Sequence, residues 1–129
     1  MKDAKKPYLK EANYSKEREV YTYDVCLGQD RVGYMQLRIV PRKSDSLPEG
    51  FENNVYYEID EPHRGHGYAK ESLRLLLLDA KNKGLERLRI AVRQSNKPSI
   101  SVIESLHPNL IKSGKSTEGE ENLLYEVDL

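Results

Sequence analysis

The residues with the clearest chemical content lie between a strand-like run and a helix-like run: Glu61-Pro62-His63-Arg64-Gly65-His66-Gly67-Tyr68-Ala69-Lys70. Gly65 and Gly67 permit backbone conformations closed to other residues and keep Cβ atoms away from an approaching group. Ala69 is the next small residue, where the helix begins. The first amide N–H groups of a helix have no intrahelical partner and sit at the positive end of its dipole, so this stretch is suited to an anion. One such interaction contributes only ~0.3–1 kcal/mol when exposed, so several donors must act together, as a pyrophosphate would allow. Arg64 and Lys70 could add charge. There is no Gly-Lys-Ser/Thr ending for a P-loop, and the glycine spacing does not match the dinucleotide fingerprint.

The elements that position this segment follow from patterning. Residues 20–27 and 32–40 are rich in β-branched and aromatic side chains, and the turn residues Gly28 to Arg31 between them predict a hairpin. Residues 41–54 carry Pro41, Ser44, Ser46, Pro48 and Gly50 and read as a loop; a third strand spans 54–60. Leu73, Leu76, Leu77 and Ala80 recur at helical spacing, with Leu75 and Leu78 expected to widen the buried stripe and Gly84 to end the helix. Residues 88–92 form a fourth strand. Ser95 or Asn96 caps a second helix reaching about residue 106, with Pro98 in its first turn, and 109–112 and 123–127 close the chain as strands. The predicted order is β-β-β-α-β-α-β-β, an α/β layer fold with a mixed, mostly antiparallel sheet flanked by helices. Residues 1–19 are polar and read as a frayed lead-in or a short helix.

Composition bounds the rest. The 129 residues fit one domain, and 21 basic against 21 acidic side chains argue against a general nucleic-acid or anionic-membrane binder. Arg87, Arg89 and Arg93 on one strand face read as a nucleic-acid patch, and equally well as alternate charges on a solvated strand. One cysteine, Cys26, excludes an intrachain disulfide and reads as a small buried hydrophobe. His63 and His66 lack an acidic or cysteine partner placed by sequence, so no metal site is expected. With no spanning apolar run and no secretory h-region, a soluble cytoplasmic protein is expected.

The pattern Arg64-x-x-Gly67-x-Ala69 between a strand and a helix resembles the acetyl-CoA signature of the GCN-five-related N-acetyltransferase (GNAT) superfamily. Residues 57–71 look like its strand-loop-helix, and Asn96-Lys97-Pro98-Ser99-Ile100 is similar to the start of the next helix in the branch that acetylates ribosomal-protein N-termini. The resemblance runs from about residue 20 to 127. It implies that backbone groups of Ile59 and Glu61 hold the pantetheine arm, where the strands at 54–60 and 88–92 splay apart. It implies too that the amides of Gly65, His66, Gly67, Tyr68, Ala69 and Lys70 cradle the pyrophosphate, with Asn96 and Ser99 on the far wall. The implied activity is direct transfer of acetyl from acetyl-CoA to an amine of a small molecule or a protein N-terminus. The alternative from another class is a non-catalytic acyl-CoA-binding module.

A lysine-type amine must lose its proton at a cost of about 4.6 kcal/mol at pH 7, an α-amine only about 1 kcal/mol. Glu58, on the strand leading into the loop, is the candidate base. The family's common acid, a tyrosine seven residues after the asparagine, is replaced by Ile103, which leaves Tyr68, Tyr125, water or no specific group to protonate the thiolate. The family also places a strand and two helices before the hairpin, and those helices wall the acceptor site. Here that helical region is abbreviated, so loop 41–54 or a second subunit, as in a homodimer, would have to supply the wall.

Overall fold

The computed structural model describes residues 6–43 and 47–129. The expected order is present with one strand in front of it: β1 (Tyr8–Ser15), β2 (Val20–Leu27), β3 (Asp30–Arg42), β4 (Asn53–Ile59), α1 (Tyr68–Asn82), β5 (Arg87–Arg93), α2 (Lys97–Glu104), β6 (Asn109–Lys115) and β7 (Glu121–Asp128). A one-turn 3₁₀ helix, Glu61–His63, precedes the glycine loop. The strands form two antiparallel sheets, ordered β1-β2-β3-β4 and β5-β7-β6.

The polar lead-in is corrected by β1, which pairs with β2 from Tyr8↔Cys26 to Ser15↔Val20 across a bulge at Glu11/Asn13. As an edge strand with little burial it lacks the apolar alternation by which strands are recognised. Besides that ladder, Tyr14 packs on Tyr21 with ring centroids 4.3 Å apart and planes 32° from parallel. β1 passes into β2 through the short turn Lys16–Glu19, so no helix stands between them.

Residues alternate across the first sheet. Tyr23, Val25, Met35, Leu37, Val55 and Ile59 face inward and pack with Leu73, Leu76 and Ala80 of α1 and with Leu88 and Ile90 of β5. Leu78 does not join this stripe; it is 51% exposed, because its helical position turns it to solvent. The far end of α1 is tied to the sheet by charge. The Tyr23 hydroxyl donates to Asp79, and the Lys83 ammonium lies 2.8 Å from Asp79, 3.2 Å from Glu11 and over the Tyr21 ring. Gly84 follows the C-cap Lys83 with φ +93°, the left-handed residue that ends a helix.

β4 and β5 belong to different sheets and are joined by one side chain. The buried Asn54 amide donates to the Arg38 carbonyl at 2.7 Å and accepts from the Arg89 N–H at 2.8 Å. Beyond that staple the strands diverge. The described part of loop 41–54 does not wall the opening, because Phe51 and Pro48 lie against Gly114 of β6; residues 44–46 fall outside the described residues.

Candidate functional site

Gly65 and Gly67 both adopt left-handed backbone, φ +84° and +79°, which requires glycine at each. Two such residues within three turn the chain from β4 into α1. Gly67 is the N-cap and has no side chain to satisfy the first turn; the first intrahelical bond runs from Glu71 N–H to the Gly67 carbonyl. The N–H groups of Gly65, His66, Gly67, Tyr68, Ala69 and Lys70 therefore find no backbone or side-chain acceptor among the described residues. The second helix shows the contrast: Asn96 caps α2 by accepting from the Ser99 N–H at 3.3 Å. The start of α1 alone is left open, and a Cβ at Gly65 or Gly67 would meet nothing within 4 Å.

These amides border a groove of about 610 Å³ between the end of β4, the start of α1 and the start of α2. In the β3–β4 ladder, Asp60 N–H donates to the Val32 carbonyl at 2.8 Å, and Tyr34 opposes Glu58. Antiparallel alternation then turns the backbone groups of residues 56, 58 and 60 toward β3, and those of Tyr57 and Ile59 toward the groove. Two strand residues thus offer main-chain groups on the side where β5 has moved away.

The structure brings most of the expected residues together. Glu58, Ile59, Arg64, Gly65, Gly67, Tyr68, Ala69, Lys70, Asn96 and Ser99 all line the groove. Glu61 and His66 do not. Glu61 opens the 3₁₀ turn and its carbonyl accepts from Arg64 N–H at 3.2 Å, while the His66 ring stacks on Tyr68 at 5.4 Å. Arg64 turns back to the strand: its Nε donates to the Ile59 carbonyl at 2.7 Å, and one Nη lies 3.4 Å from Glu58, whose side chain is 49% exposed. The guanidinium therefore occupies one of the two strand groups that face the groove at Ile59.

Tyr57 was not singled out by sequence. It lines the groove and its hydroxyl lies 3.0 Å from Ser99 Oγ, joining β4 to α2 across the opening. Burial raises its pKa, an effect the Ser99 hydrogen bond only partly offsets, so the phenol keeps its proton at neutral pH. The only signal in sequence was register: Tyr57 shares a strand face with Ile59, two residues on. Of the other two tyrosines considered, Tyr68 is in the groove, whereas Tyr125 is buried in the core and outside the lining, its pKa raised by burial and by Glu104. Ile103 is 1% exposed and packs in the core.

In sequence, residues 2–107 match the family described as the acetyltransferase (GNAT) domain. The chain belongs to the GNAT family. Among solved structures, this GNAT protein is similar to RimL, a ribosomal L7/L12 alpha-N-protein acetyltransferase in complex with coenzyme A, with a TM-score of 0.70 and 19% identity, covering 85% of this chain and 62% of that one. It is similar also to Mycobacterium smegmatis RimJ in complex with CoA-disulfide, with a TM-score of 0.68 and 19% identity over 84% of this chain and 53% of that one. A third is an N-acetyltransferase from Staphylococcus aureus Mu50, with a TM-score of 0.66 and 18% identity over 88% and 70%. At these identities the likeness establishes the fold. The chain spans less than two-thirds of the length of the first two. No curated protein matches it significantly in sequence.

Proposed function

We propose that this GNAT protein is an acetyl-CoA-dependent N-acetyltransferase that moves acetyl directly to an amine of a small molecule or a protein N-terminus. The observation that carries this reading is the run of amides from Gly65 to Lys70, unpartnered among the described residues, at the uncapped start of α1, opening on a groove edged by the side of β4 that turns away from β3. A pyrophosphate accepts from those amides; charge-assisted hydrogen bonds of this kind contribute about 1.5–3 kcal/mol each. The arm beyond it runs along Tyr57 and Ile59, with Asn96 and Ser99 on the opposite wall.

In the transfer, the amine lone pair attacks the thioester carbonyl carbon, the C–S bond breaks and sulfur leaves as the thiolate. The proton lost by the amine passes to Glu58, directly or through water. A proton is returned to sulfur by a phenol or by water; Tyr68 is one donor, and Tyr57, neutral and hydrogen-bonded to Ser99, is another. Glu58 is half exposed and paired with Arg64. A carboxylate so placed suits an α-amine, whose deprotonation costs about 1 kcal/mol, better than a lysine at about 4.6 kcal/mol. The reading has the protein working in the cytoplasm, alone or as a homodimer.

A non-catalytic acyl-CoA-binding module is favoured by two features: Ile103 stands where the family's acid would be, and no helix stands between β1 and β2. Calorimetric titration with acetyl-CoA, followed by thiol release across a panel of amines and N-terminal peptides, separates the readings. The enzyme binds and turns over on at least one member; the module binds and turns over on none. Absence of heat at millimolar acetyl-CoA defeats both.

A further inference from the structure

The open face of the first sheet carries a second feature that transfer chemistry does not use. Thr22 of β2, with Gln36 and Arg38 of β3, project from the face opposite α1, as do Tyr56 and Glu58 of β4. Near one end of this face is a polar depression of about 320 Å³, lined by Arg38, Arg42 and Arg18 together with hydroxyl and amide side chains. None of the three arginines forms an ion pair with a carboxylate among the described residues, although most arginines at the other end of the face do. Arg42 donates to the Arg18 carbonyl at 3.3 Å, the one hydrogen bond that the three guanidiniums make among the described residues. Burial and the neighbouring Arg42 lower the pKa of Arg38, as expected of crowded like charges that an anion would relieve.

The opposite end of the face has the reverse polarity. Glu58, Asp24 and Asp60 gather there, only partly balanced by Arg64 and Arg31. Between the ends lies a floor of Tyr34 and Tyr56, with ring centroids 6.0 Å apart. Glu58 opposes Tyr34 across the ladder, and Arg38 lies four residues further along β3, about 13 Å away at strand rise. A small amine cannot bridge that distance. An extended peptide whose α-amine lies at Glu58 brings its fourth or fifth side chain to the arginines.

We propose that Arg18, Arg38 and Arg42 form a carboxylate-recognition site that selects, as acceptor, a peptide N-terminus with acidic side chains at its fourth or fifth position. This rests on the acetyltransferase reading for the place of the amine, but the arginine pocket can be tested without it. The depression, about 320 Å³, has room for one or two carboxylates, and the balance of 21 basic against 21 acidic side chains in the chain favours a peptide over a nucleic acid.

The test uses fluorescence anisotropy with two C-terminally labelled hexapeptides carrying free N-termini, identical except for glutamate or glutamine at the fourth and fifth positions. A single-stranded oligouridine serves as the third probe. The site predicts that at low salt the glutamate peptide binds at least about ten-fold more tightly than its glutamine counterpart. Arg38→Gln and Arg42→Gln should each erase most of that preference while leaving acetyl-CoA titration unchanged. Equal binding of the two peptides, or a preference that survives both variants, overturns the proposal. So does oligouridine binding that depends on these arginines without peptide discrimination. If acetyl-CoA binds and the peptides are not distinguished, the acceptor inference falls alone. If the peptides are distinguished and acetyl-CoA gives no heat, the transferase reading falls and the acidic-peptide site stands.

Discussion

Gly67 and Gly84 lie at opposite ends of α1, and together they separate a folding defect from a binding defect. Both adopt left-handed backbone, φ +79° and +93°, and a Cβ at either would meet nothing within 4 Å. Alanine at either position therefore introduces the same strain, about 1–2 kcal/mol, with no steric clash. The two glycines flank the 15-residue α1 and lie about 25 Å apart at helical rise, and only Gly67 borders the groove. If alanine relaxes φ at residue 67, the peptide planes on either side rotate and the N–H groups of residues 67 and 68 lose their aim. Losing one charge-assisted donor, at about 1.5–3 kcal/mol, weakens binding by about 10- to 100-fold. Urea unfolding should show equal destabilisation of Gly67→Ala and Gly84→Ala. Acetyl-CoA calorimetry should show the 10- to 100-fold loss for Gly67→Ala, and a change within about two-fold for Gly84→Ala. Equal loss of affinity in both variants would mean that global softening, not aimed amides, controls binding. Unchanged affinity in Gly67→Ala would refute the pyrophosphate cradle.

The staple between the sheets predicts a different outcome: Asn54→Leu leaves the Arg38 carbonyl and the Arg89 N–H without partners, and urea denaturation should show roughly 2–5 kcal/mol less stability. A loss below about 1 kcal/mol would mean that water replaces the amide there. Tyr23 predicts a pH dependence. Burial and the hydrogen bond to Asp79 raise its pKa well above the ordinary 10.0, so the folded state holds the proton more tightly than the unfolded chain. Its contribution is complete below pH 10 and is lost as pH rises from there through the folded value. Compared with Tyr23→Phe, the wild type should lose about 1 kcal/mol more stability between pH 10 and 11, read from urea midpoints; parallel curves across that interval would contradict the assignment.

What could be read from sequence depended on where the signal was local. Gly65 and Gly67, three residues apart inclusive and directly before a helical period, announce a helix start with free amides, and that is what the fold contains. The hairpin was legible because β2 and β3 bury one face and keep their alternation. β1 was not legible, since both its faces are largely solvated and what holds it is the ladder to β2, with Tyr14 on Tyr21 and Glu11 at Lys83, contacts that depend on distant residues. The same limit applies to the sites. Tyr57 looked like an ordinary strand aromatic until α2 brought Ser99 to its hydroxyl. Arg18, Arg38 and Arg42 belong to a turn and a strand, and only the β1–β2–β3 meander makes them neighbours.

The two halves of the candidate site are built on different physical terms. On the proposed cofactor side, the groups on offer are main-chain donors fixed by two left-handed glycines and by a helix anchored at its far end through Asp79 and Lys83. Apart from the two glycines, those groups need no particular side chains. On the acceptor side, the direct passage from β1 to β2 leaves the face of Tyr34, Tyr56 and Glu58 without a helical cover. An uncovered face cannot select by enclosure, so discrimination there must come from charge spacing along the strands. Solvent-exposed charge pairs contribute only about 0–1 kcal/mol apiece, and salt weakens them. Selectivity on this face therefore requires several charges at matched separation, and the proposal finds them in the carboxylate cluster at one end and, about 13 Å along β3, Arg38, which shares its depression with Arg18 and Arg42.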